Sequence, residues 1–385
     1  MALWTIIKRE VRRLASRPIY LLSMVIVPIA CALFFVSLLD EGLPTKVPTA
    51  VVDKDNSALS RQMIRDLDAT QLLAINSRYN SYHDALEAVR RGEIYGFFVV
   101  PDDFEKNAIA GNSPTITYYC NMAYFIPGTL TFKGFKTIAV STTGSMATMQ
   151  LVSAGMDSES VGALIQPLAV QDHPMGNPWS NYSIYLCNSF APGVLALMIM
   201  LVTVFSICEE MKRGTSIEWI KLSQDSIIVA LLGKMLPHTA IFSMVGIFIQ
   251  SLFFGYNHYP LNCSIWVMIC AMMMFVVACQ AFALIICCVL PNLRLALSVV
   301  SLFGVLSFSI TGFSFPLEDM YGAVAIFSHI VPVRYYFLIY IDQALNGIAL
   351  YYSWWYFVAL AIFPLVATTM LWRLKNACEN PVYVP

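Results

Sequence analysis

Of 385 residues, 58% are hydrophobic and only 12% are charged, with a formal net charge of −1. So few charges cannot cover a soluble globule of 43.0 kDa, and a mean hydropathy of +0.66 excludes a disordered chain. The near-zero net charge provides no bulk positive field for nucleic acid. Ten cysteines are scattered, several in apolar runs (Cys31, Cys208, Cys270, Cys279, Cys287, Cys288), with neither zinc spacing nor a disulfide framework.

Residues 1–18 read as a cytoplasmic amphipathic interface helix. At 100° per residue, Leu3, Trp4, Ile7, Val11, Leu14 and Ala15 share one face, while Lys8, Arg9, Arg12, Arg13 and Arg17 spread over the other. The first transmembrane span is predicted over 19–39. Ala30-Cys31-Ala32 resembles a cleavage site, but the apolar run continues to Leu39, so an uncleaved signal anchor is expected.

Residues 40–183 form a polar block that alternates strand and helix patterns, predicting an α/β layer. Strands are expected at 47–52, 72–75, 94–100 and 114–120. Helices are expected at 57–67, from Ser81 to Gly92, after Pro101, and over 125–155, the last as a stalk. Asp53, Asp55 and Asn56 read as a helix-capping turn, because they lack the later bidentate Glu of a calcium loop. No nucleophile–base pair, GxSxG or HExxH accompanies His83 or His173.

Further apolar stretches at 184–208, 227–254, 264–290, 296–316 and 351–372 are long enough to cross a bilayer. Eleven Lys and Arg lie on one side of the six spans, whereas the short loops opposite, 255–263 and 317–350, hold only Arg334. Both termini are therefore predicted to be cytoplasmic, including the tail 374–385. The expected fold is a polytopic α-helical membrane protein with six transmembrane helices, N-in/C-in. An α/β extracytoplasmic domain lies between spans one and two, and a five-span bundle covers 184–373. Segment 317–350, with His329, Pro332 and Arg334, reads as an outer re-entrant hairpin.

The loop 209–225 is the most informative connection. Gly214 can stop a helix and Thr215 or Ser216 can cap a new one. Ile217, Ile220 and Leu222 would be buried, with Glu218 and Lys221 exposed. Lys234 and His238 lie one turn apart near one end of the third span; Lys234 is expected to snorkel to the interface. Gln250 and Gln280 sit mid-span, suited to inter-helix hydrogen bonds or to lining a pathway.

The whole chain resembles the permease subunit of type-2 ATP-binding-cassette exporters, in the branch with a large domain between the first two spans. The resemblance rests on the basic N-terminal helix, Val51-Val52-Asp53-Lys54-Asp55-Asn56-Ser57, and Arg90-Arg91-Gly92-Glu93-Ile94-Tyr95-Gly96 followed by Pro101 and Phe104. It continues through Arg213-Gly214-Thr215 with Glu218, Gly233-Lys234, Gly312-Phe313-Ser314-Phe315-Pro316-Leu317, and Pro332 before Tyr335-Tyr336.

The resemblance implies a multi-pass protein of the bacterial inner membrane that moves a drug, lipid, glycan or peptide outward. Its expected partners are a cytoplasmic ATPase subunit, a second permease copy or paralogue, membrane lipid and a periplasmic adaptor, with no nucleic acid. ATP and Mg would sit on the ATPase and no cofactor on this chain. Glu209, Glu210, Arg213, Gly214, Thr215, Glu218 and Trp219 would couple to that ATPase, flanked by Trp4, Lys8, Arg12 and Arg13 of the interface helix. Lys234, His238, Gln250 and Gln280 are candidate pathway residues; Gly312, Phe315, Pro316 and Pro332 belong to the outer hairpin. Independently, the chain has no GxxxxGK[ST], since Ile228 stands where Gly233-Lys234 would need the first glycine. A membrane-anchored receptor or scaffold that binds through 40–183 is the alternative.

Overall fold

A computed structural model describes residues 2–165, 173, 175–178, 180–312 and 315–380. The chain divides into two compact units. One comprises Met1–Gly42 and Pro174–Pro385, and the other Leu43–His173.

In the first unit, α1 (Ala2–Ser16) leads into α2 (Pro18–Leu38). Arg17 between them is extended, as the residue before a proline must be, and Pro18 takes the first helical position, where its missing N–H costs nothing.

The second unit carries a four-stranded sheet in the order β2-β1-β3-β4, built from β1 (Val47–Asp53), β2 (Leu73–Arg78), β3 (Gly96–Val100) and β4 (Thr117–Cys120). β1 runs parallel to β2 and β3, whereas β4 is antiparallel to β3. Val47 and Val51 pack on one face of β1 and Ala50 and Val52 on the other. Burial on both faces explains its nearly continuous apolar run.

Among the helices of this unit, α3 (Ala58–Asp68) is capped by Ser57 and α4 (Tyr82–Arg90) by Ser81, whose side chains accept from the backbone N–H of Ser60 and Asp84. Asp55 accepts from the N–H of Phe104 and Glu105 (2.9 and 3.1 Å), capping α5 (Phe104–Ile109) from across the sheet. Asp53 accepts from Asp55, Asn56 and Ser60. These carboxylates are thus spent on caps. α6 (Phe125–Ser153) buries residues only from Gly128 to Ile138; the remainder is exposed or half-buried. α7 (Ser158–Ile165) follows.

Returning to the first unit, α8 (Tyr182–Lys212) is succeeded by the short α9 (Ser216–Leu222), α10 (Ile227–Tyr256), α11 (Ile265–Val289) and α12 (Leu293–Ile310). Next come α13 (Gly322–Ile330), α14 (Pro332–Leu345), α15 (Leu350–Thr369) and α16 (Leu371–Glu379). Of the apolar window of α11, 72% is buried, against 28% for α2 and 17% for α15, so α11 is central and the other two are peripheral.

Among the described residues, five helices (α2, α8, α10, α11, α15) are long and apolar enough to cross a membrane, or six if α13 and α14 form one broken span. α12, the counterpart of the expected span 296–316, is a further apolar helix outside this count. The predicted span 296–316 corresponds to α12, which has 18 residues and stops at Ile310 before Gly312, whose φ of +88° favours glycine. Phe313 and Ser314 lie outside the described residues. Within 317–350, α13 and α14 meet at 82°. Val331 is extended ahead of Pro332, which breaks the helix as a proline does. Arg334 ties the bend back by donating to the carbonyl of Thr311 at 2.9 Å.

Candidate functional site

The outstanding feature of the spanning unit is a buried cluster of charges where α1, α8 and α10 meet. Buried ionisable groups are too costly to persist unpaired. Lys234, on α10, is 1% exposed, and its Nζ lies 2.9 Å from both Glu10 Oε2 and Glu210 Oε1. The predicted snorkelling is therefore wrong: carboxylates from two other helices reach Lys234 inside the protein. Glu10, on α1, is also 1% exposed. Its Oε1 accepts from Ser206 (3.2 Å) and pairs with His238 Nε2 at 3.0 Å. A carboxylate can only accept, so His238 Nε2 carries the hydrogen.

Arginines of α1, and Arg17 just beyond its end, close the cluster from its rim. Arg9 reaches Glu210 at 2.9 Å, Arg13 reaches Glu210 at 2.6 Å and also binds Glu209, and Arg17 reaches Glu209 at 2.6 Å. Arg213 adds a 2.8 Å pair with Glu209. Thr215 donates its hydroxyl to Glu210, and Lys234 Nζ stands 5.1 Å over the Trp219 ring.

Three carboxylates thus serve Lys234 and four arginines. The interior pairs matter most, because exposed ion pairs are worth roughly 0–1 kcal/mol. Burial by itself would raise the Glu10 pKa. The hydrogen bond to His238 and the charge of Lys234 outweigh it and hold the carboxyl well below the usual range.

That depression has a defined sign. It stabilises the docked helix fully above the ordinary glutamate value of about 4.3 and is lost as pH falls toward the lower folded value. The contribution of Glu10 to docking of α1 should be constant down to about pH 5 and be lost only in stronger acid. Hydrogen exchange of the α1 amides between about pH 5 and 3 checks this; protection undiminished across that range would contradict it.

The α1 face turned inward is Ile6, Glu10 and Arg13, whereas Leu3, Trp4 and Val11 are exposed, with Trp4 67% exposed. The predicted apolar stripe is thus not the one packed on α10. Lys8 and Arg12 are exposed.

Beyond α8 the chain turns at Gly214, with φ +70°, into α9. Ser216, Trp219 and Ile220 are buried there, and Ser216 Oγ donates to the carbonyl of Cys378. Ile217 and Leu222, expected inside, are each 40% exposed. Glu209, Glu210 and Trp219 face inward, whereas Arg213, Gly214, Ile217, Glu218, Lys221 and Leu222 are exposed, as are Lys212, Gln224 and Asp225.

Gln250 Nε2 donates to the carbonyl of Met268 (2.8 Å) and to Tyr336 Oη (3.1 Å), and Gln280 Oε1 accepts from Thr239 (2.7 Å). Both glutamines thus tie spans together. Gly312 sits where a Cβ would meet Leu317 and Arg334, Phe315 is 50% exposed, Pro316 precedes the 3-10 turn Leu317–Asp319, and Pro332 starts α14.

Inspection of the sequence missed Glu10, Arg9, Arg17 and Ser206 as cluster members. A signal existed: Ile6, Glu10, Arg13 and Arg17 share a stripe at helical spacing, and Glu10 is the lone acid in a basic helix. Among the described residues, no group of His, Cys, Asp and Glu is placed to hold a metal ion.

Long apolar helices around a central buried one define a polytopic membrane protein. Residues 18–373 match the family model described as ABC-2 family transporter protein, and the chain belongs to that family. It is accordingly a permease subunit of a type-2 ATP-binding-cassette transporter. No curated protein matches the chain.

Proposed function

We propose that this permease exports a drug, lipid, glycan or peptide from the cytoplasm or inner leaflet of a bacterial inner membrane. A separate ATPase subunit, holding ATP and Mg, supplies the energy. Both termini lie inside, the unit Leu43–His173 lies outside the cytoplasm, and a second permease copy or paralogue completes the pathway, with a periplasmic adaptor as a further partner. The observation that carries this reading is the ion cluster, which locks α1, the end of α8 and α10 together directly beside α9. A push on the exposed Arg213–Glu218–Lys221 surface would therefore reach two spans and the N-terminal helix at once.

The Gly-Lys pair at 233–234 has a structural use consistent with ATP binding elsewhere. Gly233 lies against Ile6, and Lys234 holds two carboxylates. Co-purification of an ATP-binding-cassette ATPase subunit with the tagged full chain tests the proposal. Glu218→Arg and Gly214→Pro should each weaken that association at least tenfold, about 1.4 kcal/mol, while the chain still inserts in the membrane. An undiminished complex in both variants would refute the coupling assignment.

A further inference from the structure

α1 and α2 meet at the bend before Pro18, and the corner between them and α10 holds an open groove of about 670 Å³. Val11 and Ala15 of α1, Leu21, Met24 and Val25 of α2, and Ile241 of α10 wall it. Among the described residues one charged side chain borders it, Arg17 at the bend. That side chain is 29% exposed, so a ligand can reach it. Its Nη1 donates to Glu209, while Nε and Nη2 have no hydrogen-bond partner among the described residues. Most of the donor fork is therefore free.

The surroundings carry more cation than they neutralise. Lys234 and four arginines face three carboxylates, which leaves two positive charges in excess even with His238 neutral. Lys8 and Arg12 add two more, since both are exposed and make no ion pair among the described residues. Each stands three positions before a groove residue, Val11 and Ala15, and so lies beside it on the helix surface. Arg17 directly precedes the apolar helix Pro18–Leu38, which places the cation at its end and the apolar walls farther along it. From Arg17 to Val25 the groove runs about 12 Å at 1.5 Å per residue. That is most of one leaflet of a hydrocarbon core about 30 Å thick.

We infer that this groove holds one anionic phospholipid of the surrounding bilayer. Its phosphate sits on the free side of Arg17, in the field of Lys8 and Arg12, and one acyl chain lies against Leu21, Met24, Val25 and Ile241. The chemistry follows from the lining. A guanidinium fork takes two phosphate oxygens at once. Inorganic phosphate would leave the apolar walls unused. A zwitterionic lipid brings an ammonium group for which no carboxylate is left, because Glu10, Glu209 and Glu210 are already paired. A cationic amphiphile is repelled. This assignment needs only the membrane location of the chain and is independent of any ATPase and of the direction of transport.

The test uses the full chain in nanodiscs of mixed phosphatidylcholine and phosphatidylglycerol, with a trace of either lipid bearing a diazirine on its acyl chain. Labelled sites are mapped by mass spectrometry. Phosphatidylglycerol should label segments 18–25 and 237–241 about fivefold more than phosphatidylcholine, the gain expected for one cation beside an anionic headgroup. α15, which has no charged residue, is the reference and should be labelled equally by both. Arg17→Gln should abolish most of the preference, and Arg17→Lys, which keeps the charge, should restore part of it. Lys8→Gln with Arg12→Gln disturbs no ion pair of the cluster and should also reduce the preference. Equal labelling of the groove by the two lipids in the unaltered chain would overturn the inference. So would a preference that survives all three glutamine substitutions, one equally strong on α15, or walls that stay unlabelled by both lipids because a second subunit covers them.

Discussion

Lys234→Met is expected to undock the N-terminal helix. The substitution keeps the length and apolar stem of the side chain but removes the cation that lies 2.9 Å from both Glu10 and Glu210, leaving only Arg13 near the two, at 3.8 and 2.6 Å. Both carboxylates are 1–2% exposed, so water cannot take its place. Removing one partner of a buried ion pair costs about 3–5 kcal/mol, most of it the uncompensated charge left behind. Arg9→Met should cost far less, because Arg9 is 29% exposed and screened.

Double-mutant analysis separates the pair from general damage. Glu10→Gln combined with Lys234→Met removes both charges, so the double variant should be more stable than the summed single effects by about 0.5–3 kcal/mol. The readout is protease sensitivity of the bonds after Arg12 and Arg13, together with the distance of a spin label at Trp4 from α10. If Lys234→Met leaves α1 docked and protected, the cluster does not hold it. If docking survives but transport is lost, the cluster serves the transport cycle rather than assembly.

The elements of the α/β unit were legible because local rules suffice there. Ser57 and Ser81 occupy cap positions that their chemistry favours, and β1 announces itself by a β-branched run that two packed faces require. The ends of the spans were not legible, since an all-apolar run has no periodicity to mark where a helix stops. α12 ends at a glycine turn that the hydropathy runs straight through. In α9 the buried side chain is Trp219 rather than Ile217, and the reason is tertiary: Ser216 is bound to the last helix and Trp219 lies beneath Lys234. The cluster itself was half visible. Lys234 and His238 stood out as ionisable residues in a span, and such residues require partners. The missing partner, Glu10, lies 224 residues from Lys234 in sequence, and only folding brings them together.

Gly233→Leu should displace the same helix by a different route. A Cβ at this position would stand 2.8 Å from Ile6 Cβ and Cγ2, closer than carbon atoms pack, and 3.4 Å from the Leu3 carbonyl. Ile6 is 1% exposed and branched at Cβ, so it has no free rotamer in which to retreat. Even Gly233→Ala sets two effects in opposition. Alanine gains roughly 1 kcal/mol of helix propensity over glycine, while overpacking costs about 1–3 kcal/mol. Leucine adds three further carbons and must push α1 away. Because Lys234 is the next residue, the displacement stretches its contact with Glu10 and adds the buried-charge penalty to the steric one. Ile6→Ala makes room, so Ile6→Ala with Gly233→Ala should dock better than Gly233→Ala alone, whereas Ile6→Ala alone should be weakened by its cavity. Hydrogen exchange of the α1 amides in the four proteins measures this directly. A Gly233→Leu chain with fully protected α1 amides would show that the two helices do not approach as closely as the Gly233–Ile6 contact requires.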